Sequence, residues 1–178
     1  MIIGITGKYC VGKDVASEYL SSKCFVHYSL SDILRDEARE RRVVPDRKTL
    51  ICIGNELRQA YGPGILARKT MDKFEAGKHY VISSIRNPSE VGELRRCPGF
   101  TLVGIDAPVG LRWQRMQERA DKPDNISTYE EFVVSEQSEQ SEDPNKQQLH
   151  LVFTLADIII INDTTKDRLY SQLDVLIS

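Results

Sequence analysis

The chain is poor in cysteine, histidine and tryptophan, and it lacks a long apolar run. Its four cysteines, Cys10, Cys24, Cys52 and Cys97, stand far apart and form no CxxC pair. That spacing excludes a dense disulfide framework and a cysteine-held zinc site, and it fits reduced thiols in a cytoplasm. The three histidines, His27, His79 and His150, are scattered, with no partner visible in the sequence. No Ser-His-Asp order and no nucleophile elbow is present. No apolar stretch approaches the roughly 20 residues that a membrane-crossing helix requires. The opening residues read as a core strand, without the basic and small-residue flanks of a secretory signal. An excess of one charge is missing too: 24 Lys and Arg face 26 Asp and Glu, a net charge of −2. A broad basic surface for nucleic acid or anionic membrane is therefore not expected. The expectation is a cytoplasmic protein, monomer or homodimer, whose partner is a small molecule rather than nucleic acid or a membrane.

What is present starts at residue 1. The apolar run Met1-Ile2-Ile3-Gly4-Ile5-Thr6 leads into Gly7-Lys8-Tyr9-Cys10-Val11-Gly12-Lys13-Asp14, and a helical pattern opens with Val15-Ala16-Ser17-Glu18. Strand, glycine loop with lysine, then helix is the context of a phosphate-cradling P-loop, G-x-x-x-x-G-K-[ST]. Every position matches but the last, where Asp14 replaces a hydroxyl. Gly7 and Gly12 let successive N–H groups turn inward. The new helix adds its positive end, and Lys13 adds a mobile cation. Gly7, Lys8, Tyr9, Cys10, Val11, Gly12, Lys13, Asp14 and Val15 are thus the expected nucleotide-holding residues.

The 178 residues suit one domain with a real core. Apolar, β-branched runs recur at Ile2–Thr6, Cys24–Tyr28, Tyr80–Ile85, Thr101–Ile105 and Asp157–Ile161, with little alternation, as in strands covered on both faces. Helical patterns fall at 13–22, 32–42, 47–60, 64–76, 88–96, 109–120, 129–141, 145–155 and 165–177. Alternation of strand and helix predicts an α/β layered sheet. The helical stretch at 32–76 is too long for a simple crossover and reads as a substrate-binding insertion. The Ser/Glu/Gln-rich segment Ser135–Gln148 is expected to be a solvated helix rather than a linker.

Several side chains could carry chemistry. Asp14 can hold Mg²⁺, but it also sets a negative charge beside phosphates. At 4 Å and an effective dielectric near 20 that costs roughly 4 kcal/mol if uncompensated. Lys8, unusual inside such a loop, is the expected compensating partner. Arg35, Arg58 and Arg86 stand near expected strand ends or cleft turns, where ligands of parallel sheets gather, and arginine suits bidentate phosphate binding. Arg112, Arg115 and Arg119 follow i, i+3, i+7 on one helix face. The turn after them reads as the end of a short lid, about 112–125, that would close arginines over a transferring phosphoryl group. Asp32 and Asp106 are the acidic candidates near strand ends. Asp32 is the favoured functional group and the candidate base, and a helix cap is its alternative role. Cys10, near a helix start, reads as an incidental small side chain rather than a redox group.

With these pieces placed, the chain resembles the P-loop nucleoside-monophosphate-kinase superfamily, in particular archaeal adenylate-kinase-related and dephospho-CoA-kinase-like proteins. The resemblance is carried by Ser31-Asp32-Ile33-Leu34-Arg35, by Asn55–Arg68, by Ile85-Arg86-Asn87-Pro88-Ser89-Glu90-Val91, by Asp106-Ala107-Pro108 with the arginine helix, and by Ala156–Asp163. The ending Gly12-Lys13-Asp14 is similar to phage-type deoxynucleoside-monophosphate kinases and animal-type phosphomevalonate kinases. The resemblance implies a three-layer α/β/α P-loop fold with a five-stranded parallel sheet over 1–178. It implies ATP as phosphoryl donor, Mg²⁺ held at Asp14, and catalysis by Lys13, Arg86 and the lid arginines. Arg35, Arg58 and Arg86 would bind a phosphate-bearing acceptor, and Asn162 would lie near the donor base. A dephospho-CoA-type hydroxyl acceptor, or a nucleotide sensor with little turnover, are the alternatives. Two departures stand out. The family's third strand commonly ends Asp-Gly-x-Arg, where this chain has Ser83-Ser84-Ile85-Arg86. The helix after the lid usually has basic residues where Val134 and Ser135 stand.

Overall fold

The computed structural model describes residues 1–118, 126–137 and 140–178. One all-parallel sheet holds β1 (Ile2–Thr6), β2 (Phe25–Ser29), β3 (His79–Ser83), β4 (Phe100–Asp106) and β5 (Ile158–Ile161), in the order β2-β3-β1-β4-β5. β1 is central and fully buried. In register, Ile3 lies between Val81 of β3 and Thr101 of β4. The β-branched runs extend because their side chains pack well on a pleated surface.

Alternation along the strands divides the core into two layers. Ile2, Tyr80, Ile82 and Leu102 face one side, where they pack with Leu30, Leu57, Leu66, Leu94 and Val152. These come from α2 (Leu30–Glu40), α3 (Arg47–Tyr61), α4 (Ile65–Met71), α5 (Pro88–Leu94) and α8 (Leu149–Thr154). Ile3, Ile5, Val81, Val103, Ile105 and Ile160 face the other side, against Ala16 and Leu20 of α1 (Lys13–Ser22) and Leu169 and Leu173 of α9 (Lys166–Ile177). Each fully buried Leu or Ile contributes about 1.5–3 kcal/mol. The three-layer α/β/α expectation is met. α2, α3 and α4 occupy the chain between β2 and β3.

A smaller third cluster joins α6 (Val109–Glu118) to α7 (Tyr129–Gln137). Met116, Ile126 and Phe132 are its buried members, and Tyr9, Cys10 and Trp113 pack against it. Residues 119–125, and with them Arg119 and most of the expected lid turn, lie outside the described residues. So do residues 138–139.

One expectation fails here. Ser135–Gln148 is not a continuous helix. α7 ends at Gln137, Gln140 forms an isolated antiparallel bridge with Gln148, and α8 starts only at Leu149. The cause is competition for backbone groups. The Asn87 side chain donates to the carbonyls of Pro144 (2.7 Å) and Lys146 (2.9 Å). Gln148 N donates to the Arg86 carbonyl at 2.8 Å. Asp143 caps its own turn by accepting from Asn145 N at 2.9 Å.

Candidate functional site

The loop between β1 and α1 is curled by left-handed residues: Gly7 has φ 145°, Cys10 φ 58° and Gly12 φ 100°. A Cβ at Gly7 would overlap the Ile105 carbonyl oxygen, and one at Gly12 would overlap the Asn162 side-chain amide. Both glycines are therefore required by backbone shape and by space. Lys13 folds over the loop and donates from Nζ to the carbonyls of Gly7 (2.8 Å) and Lys8 (2.6 Å).

Two long-range ties hold the loop from the far side. Asn162, buried after β5, donates from Nδ2 to the Val11 carbonyl at 2.8 Å, and its own N–H donates to Asp106 O at 2.8 Å. Arg115 donates to the carbonyls of Asn162 (2.9 Å) and Cys10 (3.5 Å). Gly12→Ala breaks this arrangement at its tightest point. The expected result is loss of nucleotide-dependent stabilisation in a thermal-shift measurement, with the sheet still folded.

The expected pairing of Lys8 with Asp14 is not found: no ion pair joins them among the described residues. They diverge because Lys8 points toward the α8 side of the sheet, where it lines a 260 Å³ cavity with Asp106, Glu136 and His150. Asp14 sits in the first turn of α1, on the opposite face. Asp106 Oδ1 accepts from Ala107 N at 2.9 Å and so shapes its own turn.

Arg112 does not reach toward open solvent as a lid arginine would. It is buried, donates from Nε to the Ala107 carbonyl at 3.0 Å, forms an ion pair with Glu136, and lies over the Phe132 ring. It thereby fixes α6 against α7.

On the other side of the loop, Arg35, Arg58 and Arg86 line one cavity of 450 Å³, together with Tyr9, Arg47 and Ser84. Arg58 is 3 % exposed and donates to Oε1 of Glu90, which is fully buried, at 3.0 Å. The other Glu90 oxygen accepts from the N–H groups of Arg86 (2.8 Å) and Asn87 (3.0 Å). Arg86 donates from Nη1 to Gln147 at 3.2 Å. Asp32 behaves as a cap. It accepts from Ser29 N at 3.1 Å in a capping box and from Arg35 Nη1 at 2.8 Å, and it does not line the cavity. The backbone amide and Arg35 engage both of its oxygens, the capping role that the sequence offered as its alternative.

Glu90, Asn87 and Gln147 were missed by reasoning from sequence. The Asn87-Pro88-Ser89-Glu90 order is itself a capping-box signature, and the structure shows that box at α5. It could have identified Glu90 as a cap, but not as the partner of Arg58. At the end of β3, Ser84 has φ 61°, the conformation that glycine takes freely, and its hydroxyl accepts from Ser29 Oγ at 2.8 Å. Ser83 Oγ lies 2.8 Å from His27 Nε2.

The parallel sheet, the lysine-bearing loop and the flanking helices define a P-loop kinase-like protein. The chain belongs to the AAA domain family, whose model matches residues 3–143, and to the UPF0200 proteins. A UPF0200 protein of Methanothermobacter thermautotrophicus is 30% identical over 92% of this chain and 78% of its own length. One from Pyrococcus abyssi is 28% identical over 99% and 95%. Among solved structures, TT1252 from Thermus thermophilus matches with TM-score 0.62 and 22% identity, covering 99% of this chain and 96% of its own. Shikimate kinase from Bacteroides thetaiotaomicron matches with TM-score 0.64 and 12% identity over 99% and 98%. No helix among the described residues is long and apolar enough to cross a membrane.

Proposed function

We propose that this protein transfers the γ-phosphoryl group of ATP to a phosphate-bearing small molecule, a nucleoside monophosphate or a relative of one. The observation that carries the reading is the cavity beside Tyr9 of the loop, where Arg35, Arg58 and Arg86 converge. Guanidinium groups from three elements suit a phosphate dianion better than a neutral acceptor. The capping role of Asp32 points the same way. A hydroxyl acceptor needs a general base near the β2 end, whereas an acceptor phosphate is already nucleophilic.

In this reading the loop amides and Lys13 take the donor phosphates. Lys13 exchanges its two carbonyl partners for phosphate oxygens, which are stronger acceptors because they are charged. Asn162 and Arg115 hold the loop in shape near the donor base. Glu90 orients Arg58 and the backbone at Arg86, so the acceptor meets fixed guanidinium groups. Positioning and charge neutralisation are the main work of the protein in such transfers. The donor set also fits Mg²⁺. No cluster of three or more His, Cys, Asp or Glu that could cage a metal occurs among the described residues. Mg²⁺ is commonly held by one or two carboxylates plus the phosphates, and Asp14 would be one of these. When bound, the ion would neutralise charge between the outer phosphates.

A coupled assay of ATP with a panel of monophosphates tests this. Turnover near or above 1 s⁻¹, the lower range for kinases, supports the reading. ATP and monophosphate binding without turnover would favour a sensor instead. With an active acceptor in hand, Arg35→Ala is expected to raise its KM about 10–100-fold, as loss of a charged hydrogen bond does.

A further inference from the structure

In this chain a carboxylate ends the glycine loop and a hydroxyl ends β3. P-loop proteins hold Mg²⁺ with a hydroxyl at the end of the loop and an aspartate at the end of a neighbouring strand. Here the loop ends in Asp14, and the strand β3 ends in Ser83.

On β2 and β3, residues two apart share a face. Phe25 and Val81 pack in the layer that holds Ala16 and Leu20 of α1. His27 and Ser83, two residues further along each strand, therefore face the same helix nearer its N-terminus, where Asp14 stands. His27 Nε2 lies 2.8 Å from Ser83 Oγ.

We propose that Asp14 supplies the carboxylate, and Ser83 the hydroxyl, of a single Mg²⁺-binding pair in reversed positions, with His27 as the residue that orients Ser83. A hydroxyl that gives its lone pair to a cation must donate its proton elsewhere. In the tautomer that carries the proton on Nδ1, His27 Nε2 accepts the Ser83 O–H and leaves the oxygen lone pairs for the cation. No proton is transferred. Carboxylate and hydroxyl oxygens are both hard donors of the kind Mg²⁺ prefers. The first turn of α1 favours the Asp14 charge. The exchange deepens the kinase reading and rests on the loop binding ATP.

Calorimetric titration with ATP, in excess EDTA and then in Mg²⁺, gives a ratio of dissociation constants that needs no turnover. Asp14→Asn and Ser83→Ala are each expected to lower that ratio about 10-fold or more, the usual scale for groups that hold or orient a metal. Asp14→Asn should bind ATP in EDTA at least as tightly as the wild type, since a negative charge beside the phosphates is gone. His27→Phe should lower the ratio in the same direction; an unchanged ratio there overturns its orienting role. The decisive variant restores the usual order: Asp14→Ser with Ser83→Asp should recover the ratio that either single change loses. A double variant no better than the worse single one overturns the exchange. If the double variant does not fold, unchanged ratios in Asp14→Asn and Ser83→Ala overturn it equally. Should the wild type bind ATP under neither condition, the P-loop reading itself fails, which is a separate and recognisable outcome.

Discussion

Glu90→Leu is expected to destabilise the fold by about 3–5 kcal/mol, the cost of leaving one member of a buried ion pair without its partner. Glu90 is fully buried and Arg58 is 3 % exposed, so neither charge has water to fall back on. The loss also frees the N–H groups of Arg86 and Asn87 and opens the capping box of α5. Against a total stability of about 5–15 kcal/mol, that change is large enough to unfold part of the population at ordinary temperature. Urea denaturation of the two proteins measures it directly. The double change Glu90→Leu with Arg58→Leu should cost less than the sum of the single changes, because it removes both charges together. Strict additivity would mean that the two side chains act independently, against the geometry.

Lys13→Ala is expected to reduce kcat by about 10²–10³-fold or more, the scale for removing one donor aimed at developing charge. Stability should change little. Two Lys13 bonds among the described residues go to the carbonyls of Gly7 and Lys8, while Asn162 and Arg115 hold the loop independently. The pairing of unaltered denaturation with lost turnover separates this residue from Glu90. A Lys13→Ala protein that retains wild-type kcat on its acceptor would remove the lysine from the chemistry.

Much of the frame was readable from residues alone. The runs that became β1 through β5 are rich in Ile and Val, and local preference agrees there with burial on both faces. The glycine loop was readable because its function demands backbone shapes that few residues adopt. Arg35 and Arg86 line one cleft near strand ends, as their positions beside strand ends led one to expect, and Arg58, placed near the turn after it, joins them. What escaped was set by contacts between distant residues. Arg58 and Glu90 lie 32 positions apart, and Asn162 and Val11 lie 151 apart. Nothing local tells Arg112 to bury itself against Glu136 rather than to point outward. The stretch before α8 has helical composition, yet Asn87 and the Arg86 carbonyl take up its backbone groups. The capping contact of Asp32 with the Ser29 amide is likewise visible only once the turn has folded.

The double restraint on the glycine loop has a thermodynamic consequence. With Asn162, just after β5, and Arg115, on α6, gripping its carbonyls, the cradle is already shaped before any phosphate arrives. A preorganised receptor forfeits little conformational entropy when it is filled. Most of the heat released on filling then reflects new phosphate contacts, and Asn162, although far from the reacting atoms, sets how much of that heat survives as affinity.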